Sequence, residues 1–212
     1  MGVVVKGSKR SSVDADQRAD AATLQRFNVS TLQRFNVSIA NRQRTRVIDL
    51  PLLRRILRTL LRDLIGAREC ALGIQLVAAR ELARLNEQFL GHKGSTDVIT
   101  FDYGFGVLPS GGLGFDVRDH AAPDRLKAGL QTLQGEMFIC VDAAVTQARQ
   151  FRTTWQSELV RYVIHGLLHL IGHDDHRTAA RKKMKREENR LLREIARRFD
   201  SAKLAKRRAR KS

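Results

Sequence analysis

Cysteine is nearly missing from this chain: Cys70 and Cys140 are the only two among 212 residues. That excludes a disulfide framework, and it fits a reducing, cytoplasmic setting. Neither has metal-ligand spacing, and Cys140, inside the apolar run 137–141, reads as a small buried hydrophobe. Long hydrophobic runs are missing too. No stretch approaches the roughly 20 residues of a membrane-spanning helix, and Val3-Val4-Val5 before Lys6 is too short for a secretion signal. The sequence therefore predicts no membrane partner. Acidic residues are scarce: 22 Asp and Glu against 39 Lys and Arg give a net charge of +17. Such a balance favours polyanions, with strong salt dependence. The glycines between Tyr103 and Gln134 lack the strand–glycine–helix context of a phosphate-binding loop, which excludes P-loop chemistry.

What the chain does have is His165-Gly166-Leu167-Leu168-His169-Leu170-Ile171-Gly172-His173-Asp174-Asp175-His176. His165 and His169 lie four apart in an apolar run, about one helical turn, so both imidazoles leave the same face. A lone histidine on an apolar helix is usually a satisfied core residue; a pair at this spacing, with an acidic-His cluster behind it, reads as a metal centre. Gly172 tolerates positive φ and lets the helix end and turn back. The cluster Asp174-Asp175-His176 can then return a third ligand. Two ligands on one turn plus one beyond a glycine make a three-ligand zinc site with an open position. A zincin peptidase carries a glutamate directly after its first histidine. Here that residue is Gly166, which argues against proteolysis.

The surrounding pattern predicts one α+β domain, a mixed β-sheet packed with helices, one of them a zincin-like metal-site helix. Alternation suggests strands at 37–41, 71–77, 98–101 and 137–141. Helical spacing suggests helices from Pro51 to Leu64, Arg80 to Phe89, Ala143 to Phe151, Glu158 to Ile171 and Arg177 to Phe199. Tyr103 to Gln134 reads as a long loop with a short helix near 124–130. Residues 1–35, which include the octapeptide of 23–30 repeated at 31–38 in its continuation, read as a disordered extension. Residues 36–199 form the domain, and 200–212 a basic tail whose residues 201–212 carry six Lys and Arg and no acid.

HGLLHLIGHDDH resembles the signature HGxLHLxGxDH of the YbeY family, metal-dependent endoribonucleases of bacterial ribosomal RNA maturation. Leu85-Asn86 with 96–103 (TDVITFDY), and 135–142 (GEMFICVD), resemble two further family blocks, so the likeness spans about 36–197. It implies a single-strand-specific endoribonuclease acting in small-subunit rRNA 3′ end maturation and ribosome quality control, with ribosomal RNA and the ribosome as partners. It implies one Zn2+ on His165, His169 and a third ligand. The family's third histidine falls at Asp175; either Asp175 keeps that register or His176, one further on, binds. His173 reads as a neighbour that does not bind. Where many members have an arginine four residues after Asn86, this chain has Leu90, and Lys93 or His92 is the substitute. Asn86 and Thr96 read as structural. Asp97 and Glu136 are the candidate catalytic carboxylates by resemblance, with hydrogen bonding to a ligand histidine as their other role. Two alternatives stand beside this: a non-catalytic ribosome-assembly factor with a structural metal, and, more weakly, a metallopeptidase.

Overall fold

The computed structural model describes residues 3–6, 35–94, 96–103 and 132–206. In chain order these form strands β1 (Val3–Lys6) and β2 (Phe35–Asn41), then helix α1 (Leu50–Thr59), which widens into a π-helical turn at Leu60–Leu64. Strand β3 (Glu69–Val77), helix α2 (Ala79–Leu90), and strands β4 (Val98–Asp102) and β5 (Thr132–Cys140) follow. Helices α3 (Val141–Phe151), α4 (Trp155–Leu170) and α5 (Thr178–Arg198) lead to a 3-10 turn at Ser201–Leu204. The strands make one mixed sheet in the order β1-β4-β5-β3-β2, with only the β4–β5 pair antiparallel. The fold is α+β, as the sequence predicts.

Alternation along the strands divides the core. Leu72, Ile74, Leu76, Met137, Ile139 and Val98 point to one face, where α1, α4 and α5 cover them. Val77, Ile99 and Cys140 point to the other and meet Leu82 of α2. β3 is buried on both faces over most of its length, so it reads as a nearly continuous apolar run. Each helix starts where its sequence allows. Asp49 accepts from the Leu52 N–H and Pro51 sits in the first turn of α1; Thr154 accepts from the Ser157 N–H at the start of α4. Cys140 is buried as expected and also accepts from the Ala143 N–H through Sγ, opening α3 directly from the end of β5.

Three boundaries differ from the sequence reading. Val3–Lys6 of the N-terminal extension pairs in parallel with Ile99–Asp102, so backbone hydrogen bonding places part of that segment on the sheet. Residues 132–134, read as loop, belong to β5 because they complete its pairing with Glu69, Cys70 and Ala71. The first residues of the basic tail are packed: Leu204 is fully buried and Ala205 bridges to Ile48. The short helix expected near 124–130 and the octapeptide at 23–30 lie outside the described residues. No described helix is long and apolar enough to cross a membrane.

Candidate metal centre

Two glycines bring the histidine helix down onto the sheet. A Cβ on Gly135 of β5 would stand 2.6 Å from the Phe101 carbonyl oxygen and 2.7 Å from Leu170 Cδ2. One on Gly166 of α4 would stand 2.5 Å from Met137 Sδ. The position that holds a zincin's glutamate is thus pressed against the core, where any side chain would have to displace Met137. The helix then ends as the sequence predicts. Gly172 takes φ +94°, its N–H donates to the His169 carbonyl, and the His173 N–H donates to that of Leu168. This pair of bonds is a Schellman stop, which reverses the chain and returns residues 173–176 to the helix end. Substituting Gly172 meets no steric obstacle, only the positive φ. We expect Gly172→Ala to lower stability by about 1–2 kcal/mol and to weaken metal binding, read by thermal melts with and without metal.

The returning turn completes a three-ligand cluster: ligand atoms of His165, His169 and Asp175 lie within 4.8 Å of one another. His176, the other candidate, is 88% exposed at its side chain and lies beside Asp174 instead. The structure therefore groups the histidine pair with Asp175, the in-register residue, while exposed His176 groups with Asp174 and Asp175 and not with the pair. His173 contributes its carbonyl, not its ring, to the histidine pair.

Hydrogen bonds fix how the two imidazoles face. His169 Nδ1 lies 3.1 Å from the His173 carbonyl oxygen, an acceptor only, so Nδ1 carries the proton. His165 Nδ1 lies 3.2 Å from Glu188 Oε2, with the same consequence. Both Nε2 atoms are left to face each other 3.1 Å apart. Burial, and after it the field of His165, holds His169 below the ordinary imidazole value, which favours the neutral ring. With both rings neutral, the two Nε2 lone pairs converge on one point, where a cation would be held. Nitrogens bound to one tetrahedral zinc would sit roughly 3.3 Å apart. The donor set therefore fits a divalent metal.

Glu188 of α5 was not singled out from the sequence. Its side chain is 5% exposed and also receives Arg161 Nη1 at 2.6 Å and Lys185 Nζ at 2.7 Å. Burial opposes its ionisation, but the bonds from His165, Lys185 and Arg161 outweigh that and bring its carboxyl down to about 2. Arg181 donates to the Asp175 carbonyl at 2.9 Å and steadies the ligand turn. A cavity of about 210 Å3 opens beside His165 and Asp175, with Arg161, Arg181, Lys185 and Asp97 in its wall. Asp97 accepts from Thr96 Oγ1 and the Val98 N–H, which orients its carboxylate at the start of β4.

Glu136 is not at this cavity. Strand alternation puts Gly135 and Met137 toward α4 and turns Glu136 to the opposite face. There it packs at Gly73 and accepts from Gln75 Nε2 and the Tyr103 hydroxyl. Glu136, one of the two candidate carboxylates, therefore faces away from His165, His169 and Asp175. His92 and Lys93 are exposed and do not line the cavity; Asn86 Nδ2 pins their turn through the His92 and Gly94 carbonyls, the structural role expected for it.

A family model described as endoribonuclease YbeY matches residues 38–196 of this chain. The chain belongs to the YbeY family. Membership carries the enzyme class: a hydrolytic, metal-dependent endoribonuclease. The Endoribonuclease YbeY of Chlorobium luteolum is 33% identical over 154 residues, 72% of this chain and 93% of its own length. That of Salinibacter ruber is 31% identical over 148 residues, covering 70% and 84%. A solution structure from Thermotoga maritima aligns over 79% of this chain and 95% of its own, at 24% identity and a TM-score of 0.48. As a YbeY protein the chain departs from the pattern HGxLHLxGxDH at its last histidine, where Asp175 stands.

Proposed function

We propose that this YbeY protein cuts single-stranded ribosomal RNA during small-subunit 3′ end maturation and ribosome quality control, with zinc on His165, His169 and Asp175, in the cytoplasm. The two converging Nε2 atoms with Asp175 beside them carry the reading. When bound there, zinc would supply Lewis acidity and activate water at its open position. The protein groups do the rest. The His173 carbonyl and Glu188 hold each ring with its Nε2 turned inward. Arg181, in the cavity wall beside Asp175, is our candidate to hold a phosphodiester oxygen. Asp97, already oriented by two donors, is our candidate to take the proton from the attacking hydroxyl. The two buried cysteines fit a reducing compartment, where burial lifts the Cys70 thiol to about 12 and keeps it unreactive.

The test is cleavage of a single-stranded rRNA fragment by the metal-loaded protein beside His165→Ala/His169→Ala, with metal content measured on both. We expect the double variant to lose its metal and its cutting together. One equivalent of bound metal with no cutting of any ribosomal substrate by the wild type would favour the assembly-factor alternative.

A further inference from the structure

Helix α5 carries nine Lys and Arg against three Glu. Some of these cations are used internally: Lys185 on Glu188, Arg190 on Glu187, Arg197 on Glu194 and Arg198 on Asp63. Lys183, Arg186 and Arg193 are exposed and have no ion pair among the described residues. With Arg190 they fall at intervals of three, four and three, so all four project from one face of the helix. The same four side chains wall a groove of about 700 Å3. Its floor is apolar, made by Leu64, Ile65 and Ile171, and at one end stands His173 of the ligand turn.

This stripe does not serve the fold. Like charges at i,i+3 and i,i+4 destabilise a helix by about 0.2–0.5 kcal/mol per pair. Arg181 also ends a first turn that has no acid and where the helix dipole disfavours cations, and Lys182 and Lys183 follow it directly. The one acid in the groove wall, Glu187, is already held by Arg190 at 2.5 and 2.9 Å. A polyanion would relieve both costs. The stripe from Lys183 to Arg193 runs about 15 Å along the helix. That is room for about four nucleotides at the 3.4 Å rise of a stacked strand. The apolar floor offers a surface for base faces.

We propose that the α5 groove binds the single-stranded RNA segment flanking the cleavage point, with phosphates on Lys183, Arg186, Arg190 and Arg193 and bases over Leu64, Ile65 and Ile171. The strand leaves the groove past His173 and enters the cavity at Asp175. The assignment rests on the endoribonuclease reading and adds to it a surface that directs the substrate.

The test uses the full-length, metal-loaded protein and a single-stranded 12-mer RNA, with binding followed by anisotropy over a KCl series. Lys183→Gln/Arg186→Gln/Arg193→Gln should weaken binding and reduce the slope of log K against log salt by about 2, for three phosphate contacts at roughly 0.7 each. On a long substrate KM should rise with kcat unchanged, because uniform binding is lost. Arg44→Gln/Arg58→Gln/Arg80→Gln, which removes equal charge from other exposed positions, should leave the slope nearly as in the wild type. Lys183→Arg/Arg186→Lys/Arg193→Lys, which keeps the charges, should bind as the wild type does. A groove variant with an unchanged slope, or a control variant that loses as much, overturns the assignment while the nuclease reading stands. A wild-type protein that neither binds nor cuts the RNA overturns both.

Discussion

Gly166→Glu, the substitution that would install a zincin's general base, is expected to yield no peptidase and no stable protein. The new side chain would begin 2.5 Å from Met137 Sδ and 3.3 Å from Val98 Cγ1, in a fully buried contact between α4 and the sheet. Overpacking alone costs about 1–3 kcal/mol. A carboxylate forced into apolar surroundings without a partner adds several more, for a loss of about 4 kcal/mol or greater. Soluble yield and urea unfolding check the first claim, and casein turnover the second. Cooperative folding near wild-type stability would mean that α4 can lift off β5, and the close approach inferred from Gly135 and Gly166 would be wrong. Gly166→Ala is the milder probe and should fall in the overpacking range alone.

The second large effect is at Glu188. Glu188→Gln keeps the size and an oxygen facing His165, but removes the charge that Arg161 and Lys185 share. Partners of this kind are worth 10–100-fold in metal affinity, so we expect zinc to bind about that much more weakly by competition with a chelator. The acid behaviour of the metal-free protein should change as well. A carboxyl held at about 2 when folded and near 4.5 when unfolded stabilises the fold above pH 4.5, and that stability is lost as pH falls toward 2. The wild type should therefore lose about 3 kcal/mol over that interval through this group, and the Gln variant should lack that part of the decline. Unchanged metal affinity together with an unchanged acid limb would reduce Glu188 to a surface-type ion pair.

Most of this site was legible because its parts are local. His165 and His169 share a helix face through spacing alone, and Gly172 announced the reversal that brings Asp175 back. Asp175 and His176 both lie within reach of the same turn, so the sequence leaves the third ligand open, and only the three-dimensional arrangement groups Asp175 with the histidine pair. Glu188 was missed although a signal existed: Met184, Glu188, Leu191 and Ile195 fall at intervals of four, three and four, so the glutamate occupies a core position of an amphipathic helix. A charge there calls for a partner, but naming His165 as that partner requires knowing that α5 packs on α4. Glu136 erred for the opposite reason. Its neighbourhood in sequence looked catalytic, while the period of two along β5 already assigned it to the other face from Gly135. The pairing of Val3–Lys6 with β4 depends on a contact across about a hundred residues, which no local pattern records.

The chain's far end has a bearing on when the protein matures. The Asp49 N–H donates to the Leu204 carbonyl, Lys206 donates to that of Val47, and Ala205 bridges to Ile48. These contacts join the entry of α1 to residues near the C-terminus, and such distant closures are made late. During synthesis the histidines of α4 emerge well before Glu188 and the closing turn. The imidazoles of a nascent chain thus lack one of their two anchors until α5 has also been made, which would delay assembly of the RNA-cutting centre until that helix docks on α4.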